Sequence, residues 1–206
     1  MTEQEGPSAE LEGPGRLIVL SGPSGVGKDT VLRELFRIDP ALHYSVSFTT
    51  RPPRSGEQDG VSYSFVDDAT FDSMIERGEF LEWANVFGHR YGTSLQRVRD
   101  AVSRGEQIVL KIDVQGADRV RQQLHGAALF IFLLPPSESE LRRRLQDRAT
   151  EDEHSLEMRE AAAVREMDEQ EKYDHRVVND DVPRAAREIL NIIRAERGAR
   201  ERVTHG

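Results

Sequence analysis

The sequence predicts an α/β fold, with a central parallel sheet flanked by helices, an inserted mixed lobe and a small lid. Three observations predict it. Short apolar or β-branched runs alternate with segments of helical spacing along most of the chain. The first run, "RLIVL", is closed by "GPSGVGKDT" at residues 22–30, a glycine-rich turn leading straight into a helical segment. Between about Thr49 and Ser94 the rhythm breaks into short strands separated by Gly, Pro and charged turns, as an insertion would.

In chain order, the opening "MTEQEGPSAELEGPG" is acidic and lacks an apolar stretch. Residues 1–15 are therefore expected to be a disordered leader, neither a secretory signal nor an Arg-rich transit peptide. "RLIVLS" is a buried strand, and Lys28 to about Arg37 has helical spacing. "YSVSF" reads as a second short strand. Within the insertion, "VSYSFV" is a short strand, "DATFDSMIERG" a helix, and "FLEWANVFGHRYGTS" completes the lobe. The strands "EQIVLKIDV" and "AALFIFLL" are followed by the helical segments "GADRVRQQL" and "SESELRRRLQDR". A second insertion falls between about Arg148 and Ser155, where "RATEDEHS" interrupts two helices. "HRVVND" is a last short strand. "VPRAAREILNIIRAE" is a closing helix with Pro183 near its first turn, where a missing N–H is tolerated. The tail "RAERGARERVTHG" is expected to fray.

Composition narrows the function classes. A chain of 206 residues fits one α/β domain with small inserted lobes. Lys and Arg number 28 against 37 Asp and Glu, a net charge of −9. That balance argues against broad binding to nucleic acid or anionic membranes, so a site for an anionic substrate must come from a local cluster of cations. There is no Cys, which excludes disulfides and thiolate metal sites. The longest apolar runs, "LIVL" and "LFIFLL", are far short of a membrane span. The expected setting is the cytoplasm, with neither nucleic acid nor membrane as partner; monomer and homo-oligomer both stay open.

A strand ending at Gly22, then Gly25, Gly27 and Lys28 before a helix, has the arrangement of a phosphate-binding loop. The glycines let the backbone of Gly22, Pro23, Ser24, Gly25, Val26 and Gly27 wrap a phosphate, and the helix N-terminus adds partial positive charge. Lys28 reaches toward a transferring phosphoryl group. Asp29 stands where the pattern has Ser or Thr. Either the site is damaged, or its carboxylate ligates Mg²⁺ directly or through water. Thr30 is also counted on the ATP side, although one residue further along the helix it points about 100° away.

The inserted lobe carries "SVSFTTRPPRSGEQDGVSYSF". Arg51 and Arg54 lie three apart, Tyr63 follows, and Tyr91 returns in "RYGT". Two guanidiniums and two phenols suit a phosphate monoester, since Arg offers a bidentate fork and Tyr a directional donor; a solvated, charge-rich turn is the alternative. Glu82, among apolar neighbours in "EFLEWANV", suits two adjacent donors such as guanine N1–H and N2–H₂, with Ser47 and Thr93 adding hydroxyls. A surface Glu on a short strand is the rival there.

On "SGPSGVGK", "SVSFTTRPPRSGE", "DGVSYSFV", "GEFLEWA", "YGTS", "IDVQGA", "RATE" and "VVND", in that order, the chain resembles guanylate kinase from about Arg16 to about Ile193. The resemblance implies a P-loop kinase fold at residues 16–197: a core at 16–48 and 95–197, a GMP-binding lobe at 49–94 and a lid at about 148–160. Residues 198–206 are then a flexible tail. It implies ATP and GMP as substrates, with Mg²⁺ accompanying ATP. Arg51, Arg54, Tyr63 and Tyr91 would hold the GMP phosphate, and Ser47, Glu82 and Thr93 would read guanine with Asp113 nearby. Arg148 and Arg159 match the lid arginines that close on the transferring phosphoryl group, and Asn179 the residue near the donor adenine.

Asp29 for Ser, Lys111 for the usual acid, and Ala149 for Gly or Asn depart from the family pattern. The first two read as one coupled substitution, with Asp29 as the metal-side carboxylate and Lys111 as its partner; two unrelated changes are the alternative. A guanylate-kinase-like scaffold domain would have lost the phosphate loop, which Lys28 keeps. A kinase of phosphorylated ribose would not need Glu82.

Overall fold

The structure, a computed structural model, describes residues 10–86, 88–124, 126–147 and 153–204; the side chains of residues 147, 153–160 and 199–204 lie outside that description. Strand β1 (Arg16–Ser21) stands at the centre of a five-stranded sheet. Its other strands are β2 (Leu42–Tyr44), β7 (Gln107–Lys111), β8 (Ala128–Leu134) and β9 (His175–Val178), in the order β2-β7-β1-β8-β9. Leu17, Ile18, Val19 and Leu20 are all fully buried, as the continuous apolar run requires of a strand covered on both faces. β8 and β9 pair in parallel from Ile131↔His175 to Leu134↔Val178.

A second, four-stranded sheet is mixed. It contains β3 (Phe48–Thr49), β4 (Ser64–Phe65), β5 (Phe80–Val86) and β6 (His89–Ser94), ordered β4-β3-β6-β5. β3 runs parallel to β4 and antiparallel to β6, and β5 and β6 form a hairpin. Helix α2 (Asp68–Glu76) is capped by Asp67, which accepts the Thr70 N–H at 2.7 Å. Phe71, Met74 and Phe80 make a separate apolar cluster there, with Phe48, Val66, Ile75 and Trp83 against it.

The chain divides into two compact units. One takes the residues up to Leu17 with His43–Leu129, and so holds the mixed sheet, α2, α3 (Leu95–Ser103) and α4 (Val114–Leu124). The other takes Ile18–Leu42 and the chain from Phe130 onward, with α1 (Lys28–Ile38), α5 (Glu138–Asp147), α6 (Glu153–Asp168) and α7 (Val182–Thr204). In this second unit α1 turns Val31, Leu32 and Leu35 inward, and α7 packs along α1. No helix among the described residues is long and apolar enough to cross a membrane.

The structure corrects one expectation and adds one helix. "YSVSF" is not one strand: Leu42–Tyr44 belongs to the five-stranded sheet and Phe48–Thr49 to the mixed one, with Ser45–Ser47 passing between. Helix α3 was not anticipated, although Ser94 caps it by accepting the Arg97 N–H and Val98, Ala101 and Val102 repeat at helical spacing. Ahead of β1, Gly15 N–H donates to Val102 O at 3.0 Å, and Arg16 N–H donates to Glu106 O at 3.0 Å. At the other end, α7 runs through Gly198 as far as Thr204.

Candidate active site

The loop after β1 is shaped by glycines that cannot be replaced in place. At Gly22, with φ near +143°, a Cβ would lie 2.4 Å from Leu133 O; at Gly27, with φ near +99°, it would lie 2.6 Å from Asn179 Nδ2. The loop thus passes hard against β8 and the end of β9. Gly27 also caps α1 in the left-handed conformation, and Thr30 and Val31 donate back to its carbonyl. Lys28 Nζ donates to Gly22 O at 2.5 Å and Pro23 O at 3.1 Å, so its ammonium curls over its own loop. Asp29 and Thr30 are exposed on the first turn of α1, and Gly25 takes φ near +80° against Leu145.

Three residues that the sequence reading did not place in this role hold the loop from outside. Asn179, 2% exposed, donates Nδ2 to Val26 O at 2.8 Å. Arg144 on α5 donates to the same carbonyl at 3.1 Å and to Asn179 O at 3.4 Å, while Glu140 accepts from its Nε at 2.8 Å. The Glu166 carboxylate on α6 accepts the Ser24 N–H at 2.8 Å. The contacts to the loop itself join residues more than 100 positions apart, so no local pattern announces Arg144 or Glu166.

In the other unit, Arg51 is 7% exposed and fully engaged. It donates Nε to Tyr91 Oη at 3.2 Å, Nη2 to both carboxylate oxygens of Glu57 at 2.7 and 2.9 Å, and Nη1 to Pro52 O at 2.7 Å. Burial works against its charge, but Glu57 and Tyr91 outweigh that and hold the Arg51 pKa above its ordinary value. Tyr63 and Tyr91 meet edge-on with centroids 5.8 Å apart. Arg51 and Lys111 both flank the Tyr63 ring, at 5.5 and 5.2 Å from its centroid, and Lys111 Nζ donates to Tyr63 Oη at 3.1 Å. Two cations and two phenols therefore converge, the chemistry of an anion site. Lys111 enters this cluster without having been expected there.

Arg54 does not join it. That residue is exposed, and its backbone N–H donates to Glu57 Oε2 at 2.7 Å. Arg148 lies outside the described residues, and Arg159 stands on α6 with its side chain outside them.

Glu82 is brought opposite Thr93 by the β5–β6 register, and Thr93 Oγ1 donates to its Oε1 at 2.6 Å. Glu82 is 4% exposed and Thr93 fully buried. Burial pushes the Glu82 carboxyl up to about 7; the Thr93 hydroxyl opposes this, Asp113 adds to it, and Arg119 pulls it back down. Asp113, just after β7, accepts the Gly116 N–H at 2.9 Å. Ser47 is buried and its carbonyl accepts the Ser64 N–H at 2.9 Å. The surface-Glu alternative for Glu82 is thereby removed.

A parallel sheet whose central strand feeds a glycine loop with an invading Lys, accompanied by an inserted mixed sheet, defines the P-loop kinase class. The family model described as "Guanylate kinase" matches residues 14–196. A guanylate kinase of Alkalilimnicola ehrlichii is 46% identical over 189 residues, covering 92% of this chain and 93% of the relative. One of Myxococcus xanthus is 47% identical over 191 residues, covering 92% and 91%. The crystal structure of guanylate kinase from Anaplasma phagocytophilum superposes with a TM-score of 0.75 at 38% identity, covering 89% of this chain and 86% of that one. The chain belongs to the guanylate kinase family.

Proposed function

We propose that this protein transfers the terminal phosphoryl group of ATP to GMP, and to dGMP, giving ADP and the guanosine diphosphate in the cytoplasm, for guanine nucleotide biosynthesis and recycling. The observation that supports this most is the buried Glu82–Thr93 pair, a carboxylate in the same unit as the Arg51, Tyr63, Tyr91 and Lys111 cluster. A buried carboxylate with one oxygen already bonded offers its other to a base edge, and an anion cluster takes the nucleotide's phosphate.

In this reading an acceptor phosphate oxygen forms the new bond to the γ-phosphorus of ATP as the bond to the β–γ bridging oxygen breaks. The attacking oxygen is anionic at neutral pH, so no general base is required. The protein positions both partners and stabilises charge on the moving oxygens. Lys28 and the loop amides grip the donor, Arg51, Tyr63 and Tyr91 the acceptor phosphate with Arg54 bridging toward the transfer, and Arg148 and Arg159 arrive from the lid. Asn179, set against Val26, acts on the donor side by fixing the loop.

Among the described residues no three His, Cys, Asp or Glu side chains are placed to hold a metal ion. Mg²⁺ binds nucleotides through phosphate oxygens, waters and only one or two carboxylates; exposed Asp29 at the loop is the carboxylate that would meet it. Held there, the ion would neutralise charge on the phosphate oxygens.

A coupled assay of ADP formation with GMP, AMP, UMP and ribose phosphates tests the reading. GMP turnover far above the rest is expected, and preference for a base-free phosphate would overturn it. Arg148→Ala and Arg159→Ala should each lower kcat by about 10²-fold with GMP affinity nearly intact, since their contacts belong to the transition state. A raised KM for GMP at unchanged kcat would move them to acceptor binding.

Magnesium titration of wild type, Asp29→Ser, Lys111→Asp and the double variant addresses the paired substitution. If the two are coupled, each single change weakens activity and the double recovers much of it, with a coupling of about 0.5–3 kcal/mol. Additive effects would leave Lys111 with its Tyr63 contact and Asp29 as an independent change.

A further inference from the structure

Helix α4 begins Val114, Gln115, Gly116, and its third residue is an odd place for glycine. Gly116 is not among the glycines with positive φ, so the backbone does not ask for one. Glycine is also the poorest helix former after proline, which makes alanine the better residue there by local preference alone. What forbids a side chain is space. A Cβ on Gly116 would stand 2.8 Å from Glu82 Oε2, 3.3 Å from Glu82 Cδ and 3.3 Å from Asp113 Oδ1. The three nearest atoms all belong to two carboxyl groups. We propose that Gly116 is a specificity-positioning residue: its missing side chain is the room in which the Glu82 carboxylate stands.

The inference rests on Glu82 reading the guanine of the acceptor, as proposed above. Thr93 holds Glu82 Oε1 from β6, and Gly116 leaves Oε2 its place from α4. The carboxylate is thus located from two sides. A methyl group at residue 116 would meet the far end of a flexible side chain, not backbone, so the carboxylate is what yields. Shifting it by a few tenths of an ångström or more misaligns Oε2 against the base edge, and the fold is left standing. Asp113 keeps its own hold on α4 through the Gly116 N–H, which alanine retains.

The test is a cycle of wild type, Gly116→Ala, Glu82→Gln and the double variant, each measured for KM of GMP, KM of ATP, kcat and thermal midpoint. Gly116→Ala should raise KM for GMP by about 10- to 100-fold, the range that a displacement near 1 Å costs a positioned group. KM for ATP should stay within about twofold, and the thermal midpoint should hold or rise as helix preference predicts. Added to Glu82→Gln, the same change should cost GMP little more, because its effect passes through Glu82. Full additivity, an unaltered KM for GMP, or joint loss of GMP affinity, ATP affinity and stability would each overturn the proposal. The Glu82→Gln arm tells the failures apart. If that variant loses GMP and Gly116→Ala does not, only the role of Gly116 falls. If Glu82→Gln itself leaves GMP unaffected, the guanine reader falls and Gly116 with it.

Discussion

Lys28→Ala is expected to lower kcat on the order of 10³-fold, the upper end of what removing one preorganised donor costs. The argument starts from where the ammonium sits. Its Nζ is 2.5 Å from Gly22 O and 3.1 Å from Pro23 O, held over the loop by that loop's own carbonyls. These are neutral acceptors, which a phosphate oxygen outcompetes because a bond between two charges is roughly twice as strong. Removing the side chain therefore removes two things: a charge on the transferring phosphoryl group and a tie that keeps the loop closed. KM for ATP should rise as well, by less than kcat falls, because the loop amides and the N-terminus of α1 still face the phosphates. Lys28→Arg should not rescue, since a planar fork does not fit a position built for a compact cation. Steady-state kinetics with ATP and GMP varied separately decide it. A kcat within threefold of wild type would mean that Lys28 serves the loop's shape and not the transfer.

The second large effect is on Glu82. Glu82→Gln should reduce kcat/KM for GMP by about 10- to 1,000-fold, because one oxygen that accepts from guanine becomes an NH₂ facing another donor. KM for ATP should change little. Burial raises the Glu82 carboxyl to about 7, which adds a pH signature. Only the ionised form accepts from both guanine donors, so kcat/KM for GMP should climb as pH rises through about 7. The acceptor's phosphate titrates too, so the part owed to Glu82 is the difference between wild type and variant profiles. Stability moves the other way. The folded protein binds this proton more tightly than the unfolded chain, whose carboxyl has the ordinary value of 4.5. The contribution is therefore complete below about 4.5 and is lost as pH rises toward about 7. Glu82→Gln should flatten that slope, as thermal melts between pH 5 and 8 would record. A variant with wild-type GMP turnover, or with an unchanged difference profile, would remove Glu82 as the reader.

Much of this site was legible because its signals are local. A loop that binds phosphate through backbone N–H groups needs glycines at set intervals and a helix immediately after, and "GPSGVGK" carries all of that within seven residues. Arg51, Tyr63 and Tyr91 were legible as chemistry, since a cluster of forks and phenols points to an anion whatever the fold. Their geometry was not. Glu57 belongs to the same motif, yet nothing in "RPPRSGE" says that its carboxylate takes both ends of the Arg51 fork. "YSVSF" misled for a related reason: a period of two identifies extended chain but not the sheet it joins, and these residues serve two.

By itself the sequence determined the alternation of strand and helix, the phosphate loop, and the residue types able to hold a nucleoside monophosphate. Those follow from interactions among neighbours in the chain, where spacing is geometry. Only the tertiary structure decided that Asn179, Arg144 and Glu166 fasten the loop, that Lys111 sits on Tyr63, and that the Glu82 carboxylate stands where a side chain on Gly116 would be. Each of these joins segments at least 34 residues apart, the separation of Glu82 from Gly116. Across such distances the chain carries no periodicity to read. What fixes the contacts is the packing of two faces, which exists only once both have folded.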